Sequence, residues 1–210
     1  SRSSRLRNPG QLQRDERYPQ TTPREGVKIG RRYGVKVQRR LTAQRVEPVE
    51  VHVVAGDGDP RPGGRRFGTL VHAVLALIDL QASSDDVAAI ADTQGKIVGA
   101  TDEEVRAAIA AVHRAKAHPV LQRAANAASA GHLRREVPVM LMQDQVLAEG
   151  MVDLAFRDEM PDFAGWTVVD FKTDRELEIA RDRYVRQVDL YARAVSASTS
   201  SPARGMLLVI

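Results

Sequence analysis

Polar and apolar positions change rhythm several times along this chain. Residues 27–55 hold two short alternating runs, Val35-Lys36-Val37 and Val49-Glu50-Val51-His52-Val53-Val54, which predict strands or a hairpin. From 56 to 64, Gly, Asp and Pro crowd into a loop. The period then lengthens. Leu70, Val71, Val74, Leu75, Leu77 and Ile78 form a helical stripe within 67–80. Ser83-Ser84-Asp85-Asp86 predicts the cap of a second, short helix ending near Gly95. Thr101-Asp102-Glu103-Glu104 is a capping box opening a third helix rich in Ala; Pro119 interrupts it, and helix resumes to about Ala130.

After Gly131 the period drops to two. Residues 134–142, 146–156 and 165–172 predict three strands, the last two joined by a hairpin loop from Arg157 to Ala164. Gly150 marks an expected bulge. Residues 175–197 predict a long helix, with Ile179, Tyr184, Val188, Tyr191, Ala192 and Val195 near one stripe. Residues 205–210 predict a buried final strand. The fold class is therefore α/β: N-terminal helices, a central mixed sheet with three antiparallel strands, then a helix and a last strand. Two parts are expected. Residues 1–64 form a basic N-terminal segment, partly without fixed structure and carrying short strands, and residues 65–210 form the main domain.

With 210 residues, 43% hydrophobic and 28% charged, the chain suits one ordinary globular domain. No apolar run approaches the roughly 20 residues that span a bilayer, and no signal segment is visible; no membrane partner and a cytoplasmic location are expected. The start without Met and the apolar end, Met206 to Ile210, read as a domain cut from a longer protein. There is no Cys. Disulfides, thiolate zinc sites and iron–sulfur clusters are excluded, so a metal could be held only by oxygen and imidazole. Charge is uneven: residues 1–48 carry 13 Lys and Arg against 4 Asp and Glu, and the rest of the chain is acidic. Such an arm suits a phosphate backbone.

The chemistry concentrates late in the chain. In a strand, Asp170 and Lys172 share a face while Phe171 points the other way. A carboxylate beside an ammonium can hold a hard cation and orient a water or steady charge on a phosphate. Alone, Asp-Phe-Lys is an ordinary surface ion pair. Antiparallel pairing would bring Asp153 beside Asp170, and two carboxylates so placed repel unless a cation sits between them. Glu136 lies on the first of the three strands. His72, inside the first apolar helix, becomes a ligand candidate because the acids and the lysine follow it.

Five motifs occur in order. They are Gly68-Thr69-x-x-His72, Arg135-Glu136-x-Pro138, Gly150-x-x-Asp153-Leu154, Val169-Asp170-Phe171-Lys172-Thr173-Asp174, and Tyr184-x-x-Gln187-x-x-x-Tyr191-Ala192. Over about residues 65–210 the chain resembles the nuclease domain of RecB/AddA-type helicase-nucleases, within the PD-(D/E)XK nuclease superfamily. The resemblance implies a restriction-endonuclease-like core and Mg²⁺- or Mn²⁺-dependent DNA hydrolysis, exonucleolytic rather than endonucleolytic, in DNA repair or recombination. It makes His72, Asp153, Asp170 and the backbone carbonyl of Phe171 metal ligands, and Lys172 the catalytic lysine. Asp170, Asp153 and Glu136 join Lys172 in the catalytic set. Gln187 and Tyr191, with Arg65 and Arg66, are the expected DNA contacts. No iron–sulfur cluster can form without Cys. No phosphate-binding G-x-x-x-x-G-K-[ST] loop occurs, so a helicase partner would lie elsewhere in the polypeptide or in another subunit. The rival readings are a nuclease-like module that grips DNA or a partner without cutting, and a scaffold domain led by residues 1–48.

Overall fold

The computed structural model describes residues 46–54, 62–143, 146–173 and 177–210. The run Val35–Val37 and the basic arm up to residue 45 lie outside them. The first described element is strand β1 (Val46–Val53). Four helices follow: α1 (Arg65–Leu77), α2 (Ser84–Val98), α3 (Asp102–Ala117) and α4 (Pro119–Ser129). Strands β2 (Leu133–Gln143), β3 (Val146–Met160) and β4 (Phe163–Lys172) come next, then helix α5 (Leu177–Thr199) and strand β5 (Ala203–Val209). This is an α/β fold with a five-stranded mixed sheet in the order β1-β5-β4-β3-β2. Strands β1, β5 and β4 run parallel, and β4, β3 and β2 antiparallel. The last two strands, β4 and β5, are parallel, so α5 must cross between them.

Local chemistry explains the helix boundaries. Both capping boxes form: Ser83 with Asp86, and Thr101 with Glu104, each side chain and backbone N–H satisfying the other. Helix α2 runs past the expected stop at Gly95 and ends at Gly99, which takes the left-handed conformation (φ 68°). Gly95 instead sits flush against Val105 of α3, where a side chain would not fit. Pro119 starts α4 at its first turn, where a missing N–H costs nothing.

Helices α1 and α4 pack on one face of the sheet, with α2 and α3 layered against them. Phe67, Leu70, Val74, Val112 and Leu121 pack there on Leu154, Phe156, Val169, Phe171, Met206 and Leu208. Helix α5 covers the other face, with Tyr191, Ala192 and Val195 on Val139, Val152, Ala155 and Val168, and Val188 on Leu207 and Val209. Among the described residues no helix is long and apolar enough to cross a membrane.

Two local expectations change and one is filled in. The run at 49–54 is a strand as expected, and its described partner is distant in sequence: it lies in β1, which pairs parallel with β5. The 157–164 loop shrinks to a turn between Met160 and Phe163, because both strands continue. The reason is Asp158: it is buried, and its carboxylate accepts from Arg204, Arg123 and Thr167, which holds that stretch in the sheet. No bulge occurs at Gly150, since the β2–β3 register runs unbroken through Val139↔Gly150. That glycine makes room for the Tyr191 ring, which presses against its Cα.

Candidate active site

Strands β2 and β3 share a fault that builds the site. In β2, Arg135 reaches α1, donating to the carbonyls of Ala76 (3.2 Å) and Ile78 (2.5 Å), whereas Val137 packs with α5. Residues two apart should share a face. Glu136 between them has φ 48°, left-handed for a non-glycine residue, and this turns the strand over. In β3 the same reversal falls between Val152, packed on the α5 side, and Leu154, packed on the α1 side. The register pairs Arg135 with Leu154 and Val137 with Val152. Glu136 and Asp153 therefore stand opposite each other at the reversal.

The β3–β4 ladder also ends there, at Leu154↔Val169. The next N–H of β4 facing β3, that of Phe171, is taken by the Asp153 carboxylate at 2.7 Å. A side chain thus replaces a ladder rung, and beyond it β3 pairs only with β2. The other Asp153 oxygen faces His72 Nδ1 at 3.4 Å. His72 is placed by α1, whose Gly68 lies against Thr173 Oγ1 so closely that a Cβ would sit 2.8 Å from it. The close approach of helix to strand end sets His72, one turn on, above the acids. Its ring meets Phe171 edge-on at 6.2 Å.

Asp170 lies beneath this group and is 3% exposed. Lys172 approaches its Oδ2 at 2.5 Å, yet that buried oxygen has no well-aligned hydrogen bond. Burial pushes the Asp170 carboxyl up to about 6, Lys172 pulls it back, and the negative charge of Asp153 adds to the rise. For His72, burial opposes protonation, but the hydrogen bond and charge of Asp153 outweigh it and the pKa lies above the ordinary imidazole value. A cleft of about 650 Å³ opens over these groups, lined by Arg65, Thr69, His72, Glu136, Asp153 and Lys172 on its polar side. Ala73, Ala76, Leu77 and Met151 form its apolar side.

The structure thus gathers His72, Glu136, Asp153, Lys172 and Arg65 around one cleft, with Asp170 buried behind Lys172. Arg66 points elsewhere: its guanidinium pairs with Glu104 at 3.0 Å and ties α1 to α3. Gln187 and Tyr191 lie on the α5 side of the sheet, bonded to each other at 2.7 Å, and line a second cleft with Glu149, Arg183, Tyr184 and Arg186. Tyr184 links the two sides, since the Lys172 ammonium sits 4.9 Å from its ring centre. Taken alone in the sequence, Tyr184 stands on the α5 stripe with no sign of a role at the site. The helical spacing Tyr184, Gln187, Tyr191 was the available signal. Met151 lines the cleft without any such signal, since a lone Met in an alternating strand carries no chemical mark.

An antiparallel hairpin that sets two acids and a lysine at a strand end, in a mixed sheet flanked by helices, is the architecture of restriction-endonuclease-like nucleases. The chain belongs to the PD-(D/E)XK nuclease superfamily, which its residues 30–210 match. No curated protein matches the chain significantly.

Nucleases of this superfamily typically use divalent metals. Among the described residues, no three His, Asp or Glu side chains converge as a ready-made cage. The donor types nevertheless suit a hard cation: two carboxylates, an imidazole and a backbone carbonyl. Asp170 Oδ2 already meets the Lys172 ammonium, so a cation held here would share that carboxylate with the lysine.

Proposed function

We propose that this domain is a metal-dependent deoxyribonuclease that hydrolyses phosphodiester bonds, acting from DNA ends rather than internally. The observation that carries the reading is the Asp153–Asp170–Lys172 group at the broken end of the β3–β4 ladder, in reach of His72. Asp153, Asp170, His72 and the Phe171 carbonyl would hold Mg²⁺ or Mn²⁺. A bound cation of this kind screens phosphate charge, lowers the pKa of a coordinated water and steadies the leaving oxygen.

The chain's own groups do the rest. Asp153 is fixed by the Phe171 N–H, so it offers an oxygen toward His72 without a search through rotamers. Lys172 positions or deprotonates the attacking water and faces the charge that develops on phosphate. Its ammonium is held between the Asp170 carboxylate and the Tyr184 ring. Arg65 on the cleft rim contacts a neighbouring phosphate. Glu136, strained and opposite Asp153, lines the site and shapes access to it. Gln187 and Tyr191 reach DNA on the α5 side. By the order of its motifs the domain serves a UvrD/RecB-type helicase-nuclease in DNA repair or recombination, with the motor upstream in the polypeptide or in a partner subunit.

The test is cleavage of end-labelled linear and circular DNA in Mg²⁺, Mn²⁺ or EDTA. Wild type should degrade linear DNA only with the metal. Asp170→Ala and Lys172→Ala should each lose about 100-fold or more while keeping the wild-type circular dichroism spectrum. Undiminished cleavage by either folded variant would overturn the assignment. DNA binding without any metal-dependent cleavage by wild type would favour the non-cutting module.

A further inference from the structure

The distal half of the β2–β3 hairpin has one covered face and one bare one. Val137, Val139 and Val152 lie on the covered face, against Tyr191 and Ala192 of α5. The bare face carries Pro138, Met140 and Met142 from β2, and Leu147, Glu149 and Met151 from β3. The register sets Pro138 opposite Met151, Met140 opposite Glu149 and Met142 opposite Leu147, so all six share that face. Met140 is 68% exposed, Met142 63%, Leu147 50% and Met151 45%. Three of the chain's five methionines thus lie on one strip. A contiguous exposed apolar strip marks a binding surface.

The strip begins inside the catalytic cleft. Met151 lines that cleft beside Ala73, Ala76 and Leu77, two residues before Asp153. From Met151 to Leu147 the strand runs about 13 Å, the length of about four nucleotides stacked at ~3.4 Å. Methionine and leucine offer a phosphate nothing, and Glu149 and Glu136 repel it. The flat face of a base is different. It is apolar and polarizable, thioether sulfur makes favourable contacts with aromatic rings, and Met, Leu and Pro are side chains that proteins press against base steps. In a duplex those faces are stacked on one another and the outside is phosphate. A strand with unpaired bases presents those faces along its length, whereas a duplex must first be unstacked to offer one.

We propose that Met140, Met142, Leu147 and Met151 form a platform for the unpaired bases of a nucleic-acid strand whose phosphate enters the Asp153–Asp170–Lys172 cleft. The proposal rests on the nuclease reading of that cleft and adds to it selectivity for single strands, set by the hairpin's bare face.

The test uses the full chain and the variant Met140→Thr/Met142→Thr/Leu147→Thr, which spares the cleft. The sites are exposed and Thr suits a strand, so the variant should keep the wild-type melting curve. Binding is read in EDTA by fluorescence anisotropy, with a labelled 12-mer of oligothymidylate, an abasic 12-mer and a hairpin duplex. Wild type should bind oligothymidylate at least about tenfold tighter than the abasic strand, about 1.4 kcal/mol. The variant should lose that margin, with abasic and duplex binding changed less than about twofold. Equal wild-type binding of the base-bearing and abasic strands overturns the proposal, as does a variant that keeps the full margin. A wild-type dimer that the variant dissociates, with oligothymidylate binding unchanged, assigns the strip to a second copy and also overturns it. Base-dependent binding without cleavage in Mg²⁺ or Mn²⁺ supports the platform while the nuclease reading falls.

Discussion

Asp170 carries its carboxylate where charge is disfavoured. Its pKa of about 6 reflects burial first, with Lys172 only partly compensating. The folded-state value lies above the unfolded one of about 3.9, so ionisation costs stability as pH rises from about 4 through 6 and costs nothing below that window. Asn keeps the shape and cannot ionise. Asp170→Asn should therefore be more stable than wild type by about 3 kcal/mol at pH 8 in EDTA, and equal to it near pH 3.5. Urea titrations at the two pH values check this; a gap of the same size at both would refute the burial argument. The same variant should be inactive, because what burial makes costly is what the chemistry requires. Glu104 shows the opposite case. The Thr101 N–H first, and then the Arg66 guanidinium, hold its pKa below the usual carboxylate range. Its contribution is present at neutral pH and fades as pH falls through that lowered value.

At the scale of elements, the site is a product of interrupted pairing. Helix α1 approaches the end of β4 at Gly68, β3 joins β4 from Leu154 onward, and β2 turns over at Glu136. Helix α5 is seated on the hairpin by the Tyr191 ring against Gly150, with the Tyr191 hydroxyl bonded to Gln187. Gly150→Ala would drive a methyl into that ring and should cost about 1–3 kcal/mol, seen as a lower urea midpoint with an unchanged slope. A neutral outcome would mean that α5 can slide on the sheet. The periodicities of α1–α4, β2–β4, α5 and β5 were readable because each element buries one stripe or face. The turnover was not. Leu133, Arg135, Val137 and Val139 are evenly spaced by two, so the alternating pattern assigns them to one face, whereas the fold divides them between α1 and α5. A single left-handed residue resets the alternation, and Glu gives no compositional warning of it.

Across the whole molecule, the far end of the sheet from the cleft is closed by a charged cluster. Asp158 takes Arg204 of β5 at 2.7 Å, Thr167 of β4 at 2.9 Å and Arg123 of α4 at 3.1 Å, which ties that end of the sheet to the helix above it. Arg204 also lies over the Phe163 ring at 4.3 Å. Two arginines sharing one carboxylate leave no margin. Asp158→Ala should cost about 3–5 kcal/mol by stranding the Arg204 charge, while the cleft residues, on other parts of the strands, keep their places. A thermal melt of the variant, beside metal-dependent cleavage at low temperature, separates loss of stability from loss of site. A melting temperature equal to wild type would show that the cluster is not needed.

Residue types and their order were enough to single out the acids, the lysine and the imidazole that the fold brings to one cleft. Those are properties of the chain one position at a time, or at helix and strand spacing, and they survive being written in a line. Which face each residue takes after a reversal, that Arg66 turns to Glu104, and that Gln187 and Tyr191 sit across the sheet from His72 depend on register and packing between segments far apart in the chain. The bare methionine strip belongs with these. Exposure depends on what the fold leaves uncovered, and no spacing rule records where a helical layer stops.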